Sequence, residues 1–301
     1  MVQNESYTPE EIANLLKVSK LTVYDLIKKG EIIAYRVGRQ MRVEAEELQR
    51  YKNRGQTANT PPKQTEEKYS SFVISGLDTS LDILTRALEG KLLERQVLRS
   101  YMGSMDSLIA MYKGQADIVG THLLDGDTME YNIPYVRKLL VSQSFVVIRF
   151  IQRQVGFYVA EGNEKQIKTW EDLKNPGVVM VNREPGAGAR VLLDENLRLA
   201  GINRQEVKGY HQELTSHIAV ASAVANGRAD VGIGIEQTAK LMPVDFIPLT
   251  TESYDLVMLK DMKNTKLMEY VISILQDDYF QEEVRSLGYD IKEMGTIIYE
   301  Q

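Results

Sequence analysis

The chain has 301 residues, 43% of them hydrophobic and 26% charged, with a net charge of −6 and no cysteine. That balance belongs to a globular chain of two or three domains, and it excludes disulfides, thiolate metal sites and cysteine nucleophiles. No run of eighteen apolar residues is present, so no membrane span is expected; no secretory pattern is visible in MVQNESYTPEE, and with no cysteine a cytoplasmic location is the expectation.

Charge is unevenly distributed. Residues 1–55 hold ten of the 36 basic and eight of the 42 acidic side chains, which leaves 26 basic and 34 acidic in the remainder. A slightly basic head on an acidic body points to a polyanion as partner of the head alone. The three histidines, His122, His211 and His217, form no metal-binding spacing, and no metal or cofactor is expected.

Thr8-Pro9-Glu10-Glu11 opens a helix: Thr as N-cap, Pro in the first turn, and Glu11 at the capping-box position. Ser19 caps a second helix, Lys20–Lys29, which Gly30 stops. Ile32–Val37 and Gln40–Val43 form a hairpin carrying Arg36, Arg39 and Arg42, and Glu44–Lys52 is a third helix. Two short helices and a basic hairpin make a winged helix-turn-helix over residues 1–54. The stretch from Tyr7 to Tyr51 closely resembles the excisionase/MerR-type DNA-binding domain. That resemblance implies a second helix in the major groove and a wing against backbone or minor groove of double-stranded DNA. It puts Ser19, Lys20, Thr22 and Tyr24 near the bases and Arg36, Arg39 and Arg42 on phosphates, where a guanidinium donates two bonds. One such head touches few phosphates, so a homodimer or higher homo-oligomer on two half-sites is expected. A solvated hairpin edge is the plainer reading of the arginines.

Residues 55–68, GQTANTPPKQTEEK, lack apolar periodicity and read as a linker. From residue 69 strands and helices alternate. Phe72–Gly76 precedes a helix Asp78–Leu88, Gln96–Met102 precedes Ser107–Lys113, and Ala116–Gly120 ends at Thr121. Each strand leaves small or hydroxylated residues at its C-terminal end, the ligand-binding edge of an open parallel sheet. Val141–Ala160 holds two long apolar strands that cross between lobes. Val178–Val181 is a strand, followed by the loop Asn182–Arg190 with two glycines and then an amphipathic helix stopped by Gly201. A glycine loop running into a helix start suits an anion, because unpaired N–H groups and the helix dipole converge there. Val207–Tyr210 is a further strand, Ile218–Ala225 a helix opened by Thr215-Ser216-His217, and Ala229–Glu236 another strand. Phe246–Leu259 returns the chain to the first lobe, and Leu267–Gly288 forms closing helices.

Trp170-Glu171-Asp172-Leu173 resembles the short helix that opens the second lobe of solute-binding proteins, and GRADVGIG is similar to a phrase of type 2 periplasmic-binding-protein folds. The wider set GLDTSLDIL, GSMDSLIAM, ADIVGTHLLD, YNIPYVRKLL, VNREPGAGARVLLD and ELTSHIAVASAVANGRADVGIGIE resembles the cytoplasmic molybdate-sensing domain. The resemblance implies an α/β chain whose residues 69–301 form a two-lobed domain: lobe one about 69–150 and 250–301, lobe two about 155–248. Molybdate or tungstate is the effector it implies. A tetrahedral dianion between lobes needs hydroxyls and fixed N–H groups. The candidates are Asp78, Thr79, Ser80, Ser104 and Thr121 in lobe one. In lobe two they are Arg183, Gly186, Ala187, Gly188, Ala189, Arg190, Tyr210, Thr215, Ser216, His217 and Glu236. Plainer roles stand beside these: Ser104 and Thr215 as N-caps, His217 bonded to a carbonyl, Arg190 paired with Asp194. Ionised Asp78 and Glu236 repel an anion, and so orient donors or bind a cationic group of another ligand.

Members of that family commonly carry a hydroxyl-bearing Gly-Ser-Gly-Thr-Arg loop where this chain has Gly186-Ala187-Gly188-Ala189-Arg190. A hydroxyl bond to a charged group contributes on the order of 1.5–3 kcal/mol, so the loss of two shifts the preferred anion or favours a small carboxylate. The expected function is a non-enzymatic transcription regulator that senses a small anion. A molybdenum-cofactor assembly or molybdate-handling protein and an architectural DNA protein with an inert body are the alternatives. No catalytic constellation is visible for the former, and the latter leaves the two-lobed body unexplained.

Overall fold

The structure is a computed structural model that describes residues 6–38, 40–56, 71–92, 95–261 and 264–301. Arg39 and residues 57–68 of the expected linker lie outside the described residues. The chain divides into two units, 1–68 and 69–301.

The head begins with a short strand β1 (Ser6–Tyr7) that the sequence did not announce, followed by α1 (Pro9–Leu16). Its start is a capping box: the Thr8 hydroxyl accepts from the Glu11 N–H at 3.4 Å, and the Glu11 carboxylate accepts from the Thr8 N–H at 2.7 Å. Helix α2 (Lys20–Lys28) is capped by the Ser19 hydroxyl, which accepts from the Thr22 N–H at 3.1 Å. Strands β2 (Tyr35–Val37) and β3 (Gln40–Glu44) form the hairpin, and β1 pairs antiparallel on the other side of β3. Helix α3 (Ala45–Gln56) runs past its expected end at Lys52. Ile12, Val23, Val43 and Leu48, from α1, α2, β3 and α3, are buried together with Ile32 of the turn after α2. Burial of each contributes about 1.5–3 kcal/mol, which holds helices too short to persist alone.

The body follows as β4 (Phe72–Ser75), α4 (Ser80–Lys91), β5 (Val97–Ser100), α5 (Ser104–Tyr112) and β6 (Ile118–Thr121). A small hairpin of β7 (Leu124–Asp125) and β8 (Glu130–Tyr131) leads to α6 (Ile133–Leu139) and the long β9 (Phe145–Val159). Then come β10 (Met180–Arg183), α7 (Gly188–Leu199), β11 (Glu213–Leu214), α8 (His217–Ala225), β12 (Val231–Ile235) and the single turn α9 (Glu236–Ala239). A second long strand β13 (Asp245–Leu259), α10 (Thr265–Leu275), α11 (Asp278–Ser286) and β14 (Ile297–Glu300) close the chain.

One mixed sheet runs through the body in the order β11-β10-β12-β9-β13-β6-β4-β5, with β14 also on β9. Its centre is the antiparallel pair β9 and β13, each 15 residues long. One end of this pair packs with Phe72, Ile74, Leu84, Ile118 and Val271 in the first lobe. The other end packs with Val178, Met180, Leu192, Leu193 and Val231 in the second. The two strands expected within Val141–Ala160 are therefore one uninterrupted strand. Gln152, Arg153 and Gln154 look like a break because they are polar, yet they pair with Ser253, Glu252 and Thr251 across the ladder. The strand expected at Val207–Tyr210 is a turn with Gly209 at φ +87°, and the chain joins the sheet only at Glu213–Leu214. Among the described residues no helix is long and apolar enough to cross a membrane.

Candidate functional site

A cavity of about 660 Å³ lies between the lobes. Its lining collects the starts of four helices: Leu77–Thr79 before α4, Met102–Ser104 at α5, Ala187–Gly188 at α7 and Ser216–Ile218 at α8. These helices follow strands that run in opposite directions in the two lobes, β4 and β5 against β10 and β11, so their C-terminal ends face each other across the cleft and the backbone N–H groups of both lobes gather around a single space.

The four starts are not equivalent. At α4 the Asp78 carboxylate accepts from the Ser80 N–H at 2.7 Å and from the Ser80 hydroxyl, so this start carries its own anion. At α8 the Ser216 hydroxyl accepts from the Ala219 N–H at 3.1 Å. The N-caps of α5 and α7 are Gly103 and Ala187, and neither start has a side-chain cap. Such starts leave orphan donors for a ligand. The Ser104 hydroxyl accepts from the His122 N–H at 3.2 Å, and the Ser216 hydroxyl accepts at its cap, so each retains a proton to donate.

The lobes meet directly around the cavity. The Met105 N–H donates to the Gly186 carbonyl at 3.0 Å, and the Gln237 side-chain amide donates to the Gly288 carbonyl at 2.9 Å. Gly186 has φ +86°, a backbone that favours glycine. Gly188 is needed for a different reason: a Cβ there meets the His122 ring at 2.4 Å.

A chain of charges crosses the floor. Arg153 lies between Asp78, with which it makes a close ion pair, and Glu252, at 2.6 Å. Glu252 then meets His122 Nδ1 at 3.0 Å, and the Tyr289 hydroxyl donates to Asp78 at 3.0 Å. Arg153 also stacks on the Tyr254 ring at 5.0 Å. Burial alone raises the Glu252 carboxyl, but His122 and Arg153 outweigh it and hold the group well below the ordinary carboxylate range. Burial, with Arg183 and Arg153 nearby, pushes His217 well below its ordinary value, so its ring is neutral. Asp78 receives four bonds in all, from Ser80 twice, Arg153 and Tyr289. It is a fully satisfied carboxylate that orients its neighbours, not a repelling charge.

Of the residues singled out in the sequence, Asp78, Thr79, Ser104, Arg183, Ala187, Gly188, Ser216 and His217 line the cavity. Arg183 spends Nε and Nη2 on Glu184 and on the Leu214 and Thr215 carbonyls, at 2.8–3.1 Å. Ser80 serves Asp78, and Thr121 is buried in β6 with a hydroxyl that has no partner among the described residues. Gly186 is the interlobe acceptor, Ala189 is buried within α7, and Thr215 contributes its carbonyl to Arg183. Arg190 turns away from the lining. It pairs with Asp194 at 3.2 Å and Glu213 at 3.1 Å, and stacks on Tyr210, whose hydroxyl donates to Asp194 at 2.5 Å. Glu236 pairs with Lys240 at 3.0 Å. The residues that sequence reading missed are Arg153, Glu252, His122, Tyr254, Gln237 and Tyr289. His122 and Gln237 had a local signal, each being next to a singled-out residue at a strand end, Thr121 and Glu236.

In the head, Lys20 pairs with Glu10 at 2.9 Å on the surface, and the Ser19 and Thr22 hydroxyls lie 2.8 Å apart. Tyr24 and Arg36 are exposed. Arg42 donates to the Ser6 carbonyl at 3.3 Å and the Ser6 hydroxyl at 3.2 Å, tying β1 to the sheet.

The description "PBP superfamily domain" matches residues 85–276, and "Helix-turn-helix domain" matches residues 6–56. The protein YvgK of Bacillus subtilis (strain 168) is 48% identical over 310 aligned positions, covering 100% of both chains. An ABC-type phosphate transport receptor from Vibrio cholerae superposes with a TM-score of 0.52 at 16% identity, over 73% of this chain and 99% of its own. A tungstate ABC transporter structure from Geobacter sulfurreducens gives 0.52 at 13% identity, over 72% and 98%. At these identities the solved structures share the fold.

Proposed function

The chain belongs to the PBP superfamily and carries a helix-turn-helix domain, and from that premise we propose that it is a cytoplasmic, homo-oligomeric regulator whose DNA affinity responds to a small anion held between its lobes. The observation that carries this reading is the convergence of α5 and α7, both without side-chain caps, on one cavity with Ser104 and Ser216. Fixed N–H groups and hydroxyls hold a buried anion without a free cation, and here the cations of the floor are already paired. Molybdate or tungstate is the first effector to test, and proteins of this fold include a phosphate receptor and a tungstate transporter. The hydroxyl-free Ala187 and Ala189 favour a small carboxylate as the second.

A ligand shifts the lobe arrangement only through unequal affinity for two states, and the coupling to DNA is reciprocal. The test is fluorescence anisotropy of a duplex selected from a random pool by the full chain, with and without molybdate, tungstate, phosphate or acetate. The expected result is a change in DNA affinity of about 5–150-fold for one anion, needing roughly 10–150-fold more of that anion in Ser104→Ala. DNA affinity indifferent to all four anions contradicts the proposal.

A further inference from the structure

The outer face of α2 is not one that a phosphate backbone asks for. On the inner face Val23 is fully buried, and Leu26 and Ile27 pack against the core of the head. On the outer face Leu21, Tyr24, Asp25 and Lys28 are all exposed, at the i, i+3, i+4, i+7 spacing of one helix stripe. Leu21 is 78% exposed and Tyr24 42%. Leucine offers a phosphate nothing, and the Asp25 carboxylate repels one. The cations that suit a backbone, Lys28, Lys29 and Arg36, stand at the end of α2 and on β2.

The polar groups at the start of α2 are engaged within the head. The Ser19 and Thr22 hydroxyls lie 2.8 Å apart, Ser19 also accepts from the Thr22 N–H at 3.1 Å, and Lys20 pairs with Glu10 at 2.9 Å. Leu21, between them, gives up only water on meeting a ligand. In a helix-turn-helix the start of the second helix meets base edges in the major groove, and the apolar group displayed there is the C5-methyl of thymine. We infer that Leu21, with the Tyr24 ring one turn on, closes on a thymine methyl in each half-site. The head then reads sequence through an apolar contact as well as through whatever hydrogen bonds Ser19, Lys20 and Thr22 release. This rests on the DNA-binding reading above and not on the anion.

The test starts from a duplex selected from a random pool by the full chain. Each thymine is replaced in turn by uracil, which keeps every hydrogen-bonding group and lacks only the methyl. Anisotropy is read at one fixed salt concentration, because phosphate contacts move affinity with salt. Removal of one thymine methyl is expected to weaken binding about fourfold, the effect of one buried methylene-sized group. In Leu21→Ala the same replacement is expected to make no difference, while affinity for a scrambled duplex stays that of the unaltered chain. Leu21→Arg, put through the same selection, is expected to enrich guanine in place of that thymine, because a guanidinium bonds guanine O6 and N7. A selected duplex whose affinity no uracil changes overturns the inference and leaves DNA binding standing. So does a methyl effect that survives Leu21→Ala, or a Leu21→Arg chain that still enriches the same thymine. A pool from which the full chain enriches no duplex overturns both readings.

Discussion

In the first-lobe wall of the cleft, Asp78, Arg153, Glu252 and His122 hold one another in a closed series of ion pairs and hydrogen bonds. In the second-lobe wall, α7 starts without a cap, Ser216 keeps a proton to donate, and His217 is neutral. The first wall holds its full charges already satisfied, beside the uncapped start of α5. The second offers mainly dipoles, and its lining cation Arg183 is paired with Glu184. A satisfied chain of buried charges fixes geometry and adds little net stability over an apolar filling, although breaking it is costly. Unsatisfied dipoles cost little to hold in place and attract an anion.

The sharpest way to separate the walls is to remove Arg153. Arg153→Met leaves two buried carboxylates without their cation, and a loss of about 3–5 kcal/mol is expected, read from urea unfolding. A loss no larger than a surface substitution breaks the distinction. Ser104→Ala removes a hydroxyl from the cavity lining. It is expected to weaken binding of whichever anion stabilises the chain by about 1.5–3 kcal/mol, measured by calorimetry, and, because it also removes the acceptor of the buried His122 N–H, to lower the unliganded melting temperature. Gly188→Ala puts a methyl group into the His122 ring, at 2.4 Å. It is expected to cost about 1–3 kcal/mol of closure, seen as weaker anion binding and a larger radius of gyration in small-angle scattering.

The two walls also separate by pH. Glu252 is depressed from 4.5 in the folded state, so its contribution is present above that value and is lost as pH falls toward the folded one. His217 is depressed from 6.5, so the unfolded chain takes up a proton that the folded chain refuses, and stability falls as pH drops through 6.5. His217→Phe is expected to remove the upper step and leave the lower one in urea midpoints measured against pH. The smallest effect belongs to the head. Arg36→Ala is expected to weaken DNA binding uniformly across sequences and lower the salt slope by about 1, read from anisotropy at several ionic strengths.

What was legible in the sequence was local. Thr8 and Glu11 announce α1, Ser19 announces α2, and the glycines around Ala187 announce the turn into α7, because each signal lies within a few residues of its effect. The floor of the cleft was not legible. Arg153 and Glu252 are 99 residues apart, and Asp78 and Tyr289 are 211 apart. Read locally, Arg153 breaks an apolar strand. Only the register of β9 on β13 turns it into a paired, buried cation. Arg190 shows the converse: beside a glycine loop it looks like an anion ligand, yet Asp194, Glu213 and the Tyr210 ring already hold it. The capless starts of α5 and α7 were half visible, since Ala187 could be read from the sequence but its position opposite Ser104 could not.

The most direct measurement is an anomalous difference map from crystals of the full chain grown with tungstate. The predicted result is a single strong peak between the lobes, within hydrogen-bond distance of the Ser104 and Ser216 hydroxyls and the Gly188 N–H. A cleft without a peak, or a peak only on surface lysines and arginines, contradicts an anion site built from these helix starts.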